Sequence, residues 1–337
     1  MAEAARLSVP IARLRHGVLI KMSGPTLVTT MRPRLFYCDH HPIPLPAGHK
    51  FPAEKYAQLR AALETGGFYT MEPAPQADAA SLALAHDARY VRQFLDGTLD
   101  ARIMRRIGFP WSEQLVRRTL ASVGGTLAAA NDAMASGFGG NLAGGTHHAH
   151  RDEGSGFCVF NDLAVAILAL RRDGRARRAA VLDLDVHQGD GTASIFENDP
   201  DVLTISIHGE NNFPFRKQRS RVDIGLPDGA RDEEYLAHVR EVLPGVVDFR
   251  PDILFYQSGV DGLAGDRLGR LALTHPGLVE RDRLVFEISR LHRLPIVVTL
   301  GGGYASRIAR TVEAHANTFR TAARVFSDVT ILQPMAG

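Results

Sequence analysis

The segment VLDLDVHQGDGTA, residues 181–193, ends a short hydrophobic run with three carboxylates and an imidazole. Its apolar residues predict a buried strand over residues 179–186. A buried strand end that carries several acids is costly unless those acids are paired or bind cations. A helix cap and a satisfied core histidine would explain a lone D-x-H, but here two further acids remain. The segment therefore predicts a metal site. Its polar residues are Asp183, Asp185, His187 and Asp190.

The composition is that of a soluble globular chain: 337 residues, 45% hydrophobic and 23% charged. Lys and Arg number 39 against 37 Asp and Glu, and a formal charge of +2 is too small for nucleic-acid binding by bulk electrostatics. Two cysteines, Cys38 and Cys158, make neither a disulfide framework nor a Cys-rich metal site. We therefore predict a reducing compartment, the cytoplasm, and no nucleic-acid partner. The oligomeric state is not readable from the sequence.

The first thirty residues carry four cations against the single acid Glu3, and their longest apolar run, residues 17–20, is too short for a secretory core or a membrane span. We predict a loose extension over residues 1–30, followed by a single domain over residues 31–337 and no membrane association. An upstream start codon with Met31 as the true beginning, or an organellar transit peptide, are the alternatives.

Beyond residue 31, short β-rich apolar runs alternate with longer segments of helical period. Several runs are apolar on both faces, as strands buried between helical layers are. The sequence therefore predicts an α/β fold with three layers, α/β/α, around a parallel sheet. Strands are predicted at residues 34–38, 179–186, 202–208, 253–259 and 295–300, and helices at residues 53–64, 112–136, 161–171, 232–247, 277–291 and 305–325.

Polar or glycine-rich segments follow the predicted strands or lie in loops. Open parallel sheets bind ligands beyond the carboxyl ends of their strands, so we expect these segments to converge on one crevice. Glycines there allow backbone to approach a ligand closely. The segments are GGTHHAH (144–150), DLDVHQGDG (183–191), SGVDGLAGDRLG (258–269) and LGGGY (300–304).

Asp185 and His187 are two residues apart, so on a strand both side chains would reach one ion from the same face. The natural third ligand is Asp261, which follows an apolar strand between two small residues, Gly259 and Gly262. Two carboxylates and a neutral imidazole balance a dication and leave a fourth position for water or substrate, as in catalytic zinc sites. Iron(II) fits the same ligands, which do not select sharply between these metals.

Two adjacent imidazoles, His147 and His148, follow a glycine pair. Near a metal-bound water they can act as general base and general acid, each held by one of the spare acids, Asp183 and Asp190. The alternative is a pair of surface histidines in a polar loop, and to that class we assign His150.

Tyr304 ends a glycine run after a predicted strand, where its hydroxyl can stabilise an oxyanion. A turn with a packed tyrosine is the alternative. The glycine-rich segment 139–146 imitates a phosphate-binding loop but has Gly145 where lysine is required, and no G-x-G-x-x-G follows a strand. Nucleotide binding is therefore excluded.

Taken together and in order, GGTHHAHRDEGSGFCVFND, VLDLDVHQGDGTA, QSGVDGLAGDRLGRLALT and LGGGY resemble the zinc-dependent histone deacetylases, from about residue 34 onward. The pattern D-x-D-x-H-Q-G-D-G with G-V-D-x-L-x-G-D-R-L-G most resembles the class IV branch and its bacterial relatives. The resemblance implies the arginase/deacetylase fold, with a parallel sheet of about eight strands, and a deacetylase catalytic domain over residues 31–337.

The resemblance also implies roles for individual residues. Asp185, His187 and Asp261 would hold zinc. Of the tandem histidines, His148 would shuttle the proton and His147 would act mainly through its charge. The remaining implied residues are Asp183 and Asp190 as partners of His147 and His148, Tyr304 as the transition-state tyrosine, Gly156, Phe157 and Phe213 as the acyl-lysine tunnel, and Asp183, Asp185, His187, Ser206 and Ile207 around a structural potassium ion.

The implied reaction is hydrolysis of an acylated amine, with an N-ε-acyl-lysine protein or peptide as partner. Deacylation of a small amine such as an acetylpolyamine, a manganese ureohydrolase on a related fold, and a catalytically silent acyl-lysine binding module are the alternatives. The proline-rich segment 39–52 either lines the mouth of the site, with His40, His41 and His49 touching substrate, or is a packed structural loop.

Overall fold

A computed structural model describes residues 32–326 of the protein. Within this range eight strands form one sheet in which every neighbouring pair is parallel. The order across the sheet is β2-β1-β3-β8-β7-β4-β5-β6. The strands are β1 (Arg34–Tyr37), β2 (Thr70–Pro73), β3 (Phe138–Asn141), β4 (Ala179–Asp183), β5 (Val202–Gly209), β6 (Val222–Leu226), β7 (Ile253–Gln257) and β8 (Ile296–Thr299).

Helices flank the sheet, which confirms the predicted three-layer α/β fold with about eight parallel strands. The helices are α1 (Glu54–Glu64), α2 (Ala79–Leu82), α3 (Ala88–Leu95), α4 (Ala101–Ile107), α5 (Glu113–Ser136), α6 (Asp162–Arg172), α7 (Asp190–Phe196), α8 (Asp232–Phe249), α9 (His275–Leu291) and α10 (Ile308–Phe326). The extension predicted over residues 1–30 lies outside the described residues. Within those residues, no helix combines the length and apolar character that crossing a membrane requires.

The five predicted strands and six predicted helices are present, with ends shifted by a few residues. Three strands were missed, and β3 shows why. Its sequence, FGGN, lacks β-branched residues, but α5 packs so closely on it that a Cβ at Gly139 would overlap the carbonyl oxygen of Ala129. The glycines of β3 are therefore a packing requirement that propensity does not show.

The strand predicted over residues 179–186 ends earlier, at Asp183, so Asp185 and His187 lie in the segment between β4 and α7. Period-two alternation is therefore the wrong reason for their convergence. Instead the Asp185 carboxylate accepts the backbone N–H of His187 at 2.9 Å, which turns the chain and brings the two side chains together.

Four strands that are neighbours in the sheet, β3, β8, β7 and β4, lead into the four polar segments. Because all are parallel, their carboxyl ends lie at one edge. Every residue of these strands is buried, so the edge is held by a rigid core. The fold thereby gathers segments that are far apart in the chain.

Candidate active site

The carboxylates of Asp185 and Asp261 meet the imidazole of His187 at the edge of the sheet. The Nδ1 atom of His187 lies 3.0 Å from Oδ1 of Asp185 and 3.1 Å from Oδ2 of Asp261. One ligand atom of each residue lies within 4.8 Å of the others, and all three side chains are buried. Backbone N–H groups orient both acids: Gly302 donates to Asp185 at 2.7 Å and Val186 to Asp261 at 3.0 Å.

The electrostatics of this triad suit a bound cation. Burial and the neighbouring charge of Asp185 raise the pKa of Asp261 to about 6, because two buried carboxylates repel each other. Burial lowers the pKa of His187, but hydrogen bonds to the two acids outweigh it and raise the pKa to about 10. The triad therefore stabilises positive charge between its acids. A Cβ at Gly302 would overlap the Asp261 carboxylate, so glycine keeps this space open. The donor set fits a zinc ion.

The tandem histidines each have their own carboxylate. Nδ1 of His147 lies 2.6 Å from Asp183, and Nδ1 of His148 lies 2.6 Å from Asp190. The ring centroids of the two histidines are 4.1 Å apart, and the His148 ring lies 5.8 Å from that of His187. All four of these histidine and aspartate side chains are buried beside the triad.

The two histidines have opposite charge preferences. Burial lowers the pKa of His147, but the charges of Asp183 and Asp185 outweigh it and raise the pKa to about 9. Burial and the charge of His147 lower the pKa of His148 to about 4. Paired groups whose pKa values are pushed apart can take different roles. A neutral His148 can accept a proton, while a cationic His147 stabilises negative charge.

The assignment of His150 as a surface histidine is wrong. Its Nε2 atom lies 3.1 Å from Oδ2 of Asp190, the oxygen that His148 does not use. Its carbonyl oxygen also meets the ring of His86 at 2.9 Å, so the residue is fixed on both sides. The two oxygens of Asp190 thus contact two imidazoles, those of His148 and His150. The spacing of these residues along the chain does not predict this arrangement.

Tyr304 is buried in the segment that follows β8 and lines the same cavity as the triad. Asp266 fixes its backbone by accepting the Tyr304 N–H at 2.6 Å, and the ammonium of Lys55 lies 5.4 Å from its ring centroid. Lys55 in turn donates to the carbonyl of Gly301 at 3.2 Å. Lys55 and Asp266 were not predicted from the sequence, and no local signal marks Lys55, because its partner Gly301 is 246 residues away.

The three predicted tunnel residues lie together above the histidines. The Phe157 ring is 6.0 Å from that of Tyr304, and the Phe213 ring is 4.9 Å from that of His148. A Cβ at Gly156 would lie 2.6 Å from the His148 ring and 3.3 Å from Phe213. Gly156 also has φ +56°, so the position suits glycine both sterically and in its backbone.

These three residues line a cavity of about 770 Å³, which the triad and both histidines also line. Segment 39–52 contributes Ile43, Lys50 and Phe51 to its wall, but none of the segment's histidines. His49 instead pairs with the carbonyl of Gly108 at 2.8 Å. For these histidines the structure favours packing over substrate contact.

Two of the five residues implied for potassium, Ser206 and Ile207, lie in β5, beside the strand that ends at Asp183. Ser206 is its partner in the pairing of β4 with β5, and Ile207 follows in β5. All five are buried. The Ser206 hydroxyl also lies 3.0 Å from Nδ1 of His208, which the sequence analysis did not include.

Comparisons with known proteins place this geometry in a family. The model of the histone deacetylase domain matches residues 49–319. The chain belongs to the histone deacetylase family. A crystal structure of an acetylpolyamine aminohydrolase from Burkholderia pseudomallei, 24% identical, superposes with a TM-score of 0.71 over 87% of this chain and 99% of that one. At this identity the likeness shows the arginase/deacetylase fold.

Two relatives in sequence extend the comparison. An uncharacterised protein from Picosynechococcus is 45% identical over 297 residues, which are 85% of this chain and 98% of that protein. Histone deacetylase 2 of Arabidopsis thaliana is 29% identical over 286 residues, 78% of this chain and 72% of that protein. The resemblance to histone deacetylases predicted from the four motifs is thus confirmed, while placement in the class IV branch stays a prediction.

Proposed function

We propose that this histone deacetylase-family protein is a zinc-dependent lysine deacylase, which hydrolyses the amide of N-ε-acyl-lysine in proteins or peptides. The observation that carries the proposal is the pair of buried His–Asp couples, His147–Asp183 and His148–Asp190, beside a triad fit for zinc. Zinc held by Asp185, His187 and Asp261 would polarise the acyl carbonyl and lower the pKa of a water ligand.

The side chains divide the remaining work. His148, neutral and held by Asp190, takes the proton of the attacking water. The positive charge of His147 stabilises the negative charge that develops on the tetrahedral intermediate. The Tyr304 hydroxyl donates a hydrogen bond to the same oxyanion. His148 then returns its proton to the departing lysine amine, so that a carboxylate and a free amine leave.

The charge at the mouth of the cavity supports an acyl-lysine peptide over an acetylpolyamine. Four exposed cations line the outer part of the cavity; Arg106 pairs there with the half-buried Glu153 and Arg270 with Asp228, which leaves positive charge in excess. A polyamine keeps positive charge after acylation and would be repelled there, whereas acyl-lysine is neutral. The cations are Lys50, Arg106, Arg267 and Arg270.

The cavity also has room beyond an acetyl group. One face of α5 forms part of the cavity wall. We call the part of the cavity along this face the α5 arm. A cavity of about 770 Å³ that extends to α5 supports acyl groups longer than acetyl. The α5 arm is lined by Leu115, Arg118, Thr119, Ser122 and Val123.

A structural potassium ion completes the proposal. Asp183 and Ser206 offer side-chain oxygens on adjacent strands, and oxygen ligands suit a hard cation. Such an ion would fix the strand that leads to Asp185 and His187. Elemental analysis of protein dialysed into sodium buffer tests it, and a preparation without potassium that keeps full stability would reject it.

The test of the proposed function pairs metal analysis with turnover. We expect about one zinc per chain and hydrolysis of lysine peptides that carry acetyl, octanoyl or myristoyl groups. Hydrolysis of N-acetylputrescine in preference to all of these peptides would instead identify a small-amine deacylase. Tight binding of acyl peptides without turnover by zinc-loaded protein would identify a binding module. Protein that takes up neither zinc nor iron would reject the mechanism.

A further inference from the structure

Arg118 is a buried cation in the wall of the α5 arm. Only 7% of its surface is exposed to solvent. It lines the same cavity as His147, His148 and Tyr304. Of the charged residues that line the cavity, Asp185, Asp190 and Asp261 have partners in the site described above, and the exposed cations lie at the mouth. Arg118 takes no part in either group.

No carboxylate lies within ion-pair distance of Arg118 in the part of the chain that the structure describes. Its hydrogen bonds leave from Nη1 to backbone carbonyls, that of Cys38 at 3.0 Å and that of His41 at 3.5 Å. The ring of Tyr56 lies 4.4 Å from its guanidinium carbon. Buried arginines are ordinarily paired, and Arg281, which is fully buried, contacts Asp282 at 2.8 Å. Arg118 is therefore a desolvated guanidinium whose charge is not neutralised.

The α5 arm connects Arg118 to the reacting groups. Ser122 lies one helical turn after Arg118 on the same face of α5 and accepts a hydrogen bond from Gly144 N–H at 3.1 Å. Gly144 precedes His147 by only three residues. An acyl chain whose carbonyl lies at the histidines and whose far end enters the α5 arm would point toward the guanidinium.

We propose that Arg118 makes the α5 arm a carboxylate subsite, so that the enzyme prefers acyl groups that end in a carboxylate, such as glutaryl or adipoyl. This inference rests on the proposed deacylase function and names its substrate class. A guanidinium pairs with a carboxylate through two parallel hydrogen bonds. Because folding has already desolvated and oriented Arg118, the ligand meets a preorganised partner. Hydrolysis adds one water across the amide and releases a dicarboxylate and the lysine amine.

Lys55 does not compete for this role, although it is also a buried cation. Its ammonium donates to Gly301 and lies against the rings of Tyr56 and Tyr304, and it is not part of the cavity wall. Its positive charge interacts with the carboxylates of Asp185, Asp261 and Asp266. Of Lys55 and Arg118, only Arg118 lines the cavity.

The experiment compares adipoyl-lysine with hexanoyl-lysine in one peptide, because the two acyl chains have the same length and differ in the terminal carboxylate. We expect zinc-loaded wild-type protein to show a ratio of kcat/KM, adipoyl over hexanoyl, of roughly 10 to 100. In Arg118→Met the ratio should fall below 1, since the carboxylate would be desolvated without a partner. Taking the ratio within each protein cancels any general loss of activity.

Arg117→Met is the matched control, because it removes the neighbouring cation of α5, which is exposed, pairs with Glu113 and does not line the cavity. Its ratio should equal that of the wild type. A second readout needs no turnover: adipate should raise the Tm of wild-type protein more than hexanoate does, and this difference should vanish in Arg118→Met.

A wild-type ratio of 1 or less overturns the inference even if Arg118→Met does not fold, and leaves the deacylase function standing. An unchanged ratio in folded Arg118→Met overturns it as well. If wild-type protein hydrolyses the two peptides at equal rates, and acetate inhibits it more strongly than it inhibits Arg118→Met, the result would assign Arg118 to binding of the product carboxylate instead. If no acyl-lysine is hydrolysed, the proposed function fails, and the Tm comparison alone decides whether the α5 arm binds carboxylates.

Discussion

Tyr304 keeps its proton because burial and the nearby carboxylate of Asp261 raise its pKa well above the usual value. Its hydroxyl is therefore a hydrogen-bond donor at any working pH. Tyr304→Phe should retain zinc and Tm but lose activity by about two to three orders of magnitude, the usual effect of removing one oxyanion donor. The measurement is kcat on an acyl-lysine peptide beside metal content, and normal turnover would contradict the assigned role.

Asp261 and Asp266 lie five residues apart in one loop but act on different partners. Asp261 contacts His187, whereas Asp266 accepts backbone N–H groups, including that of Tyr304. Asp261→Ala should weaken zinc binding by more than about 100-fold, because loss of even an outer-shell partner weakens it by ~10- to 100-fold. Competition with a chromophoric chelator measures this affinity. Asp266→Ala is the control and should still bind one zinc. Stoichiometric zinc in Asp261→Ala would exclude Asp261 as a zinc ligand.

Arg281 in α9 joins the helix to the segments that follow β7 and β4, and it donates to the Leu184 carbonyl after β4 at 3.4 Å. Its guanidinium donates to the carbonyls of Gly259 at 2.6 Å and Ser258 at 3.3 Å, and Asp282 also accepts from the Tyr256 hydroxyl. Arg281→Met should lower the free energy of unfolding by about 3 to 5 kcal/mol, because it leaves a buried carboxylate without its cation. Urea unfolding measures the change.

Arg283 provides the control on the same helix. It pairs with Glu280 and Glu287 at the surface, with its side chain 42% exposed. Arg283→Met should lower the free energy of unfolding by less than about 1 kcal/mol. Equal losses in Arg281→Met and Arg283→Met would mean that the buried network has no special weight.

The sequence predicts well those features that follow from local patterns of apolar and polar residues. The apolar runs before Asp183 and Ser258 predicted strands, and the polar residues after them predicted the edge at which the site lies. Contacts between distant segments were not readable: Lys55 with Gly301, His150 with Asp190, and Arg118 with Cys38. Such pairs depend on how the helices and loops pack over the sheet, and the spacing of residues along the chain does not predict this packing.

The short helices were missed for a different reason. Three of them, α2, α3 and α4, are only 4, 8 and 7 residues long, too short for a clear helical period. Their starts are nevertheless marked, because Asp78, Asp87 and Asp100 each cap a helix by accepting backbone N–H groups. An acid before a short helical segment was the available signal.

The buried, neutral His86 makes the stability of the folded protein sensitive to acid. Burial lowers the pKa of His86 to about 4, and its Nε2 atom accepts the Asn161 N–H at 2.8 Å, so the folded state holds the ring neutral. An unfolded histidine has a pKa of about 6.5. Between these values the unfolded state binds the extra proton, so stability is lost as pH falls from about 6.5 to 4.

This linkage predicts that His86 contributes about 2 kcal/mol to the loss of unfolding free energy between pH 7 and pH 5. In His86→Gln, which keeps an acceptor and a donor, the loss over this interval should be smaller by that amount. Urea unfolding of the zinc-loaded proteins at both pH values gives the comparison, with surface His238→Gln as the control. Identical pH dependence in wild type and His86→Gln would refute the assignment.

The position of β8 has a consequence for how the protein is made. Strands β2, β1 and β3 form one side of the sheet and β7, β4, β5 and β6 the other, and β8, the last described strand to leave the ribosome, pairs with both β3 and β7. A nascent chain therefore carries two unjoined half-sheets with exposed inner edges, which are the edges most prone to mispairing. The tandem histidines emerge with one half and the proposed metal-binding triad with the other, so the proposed hydrolysis would begin only when translation has delivered the strand that joins them.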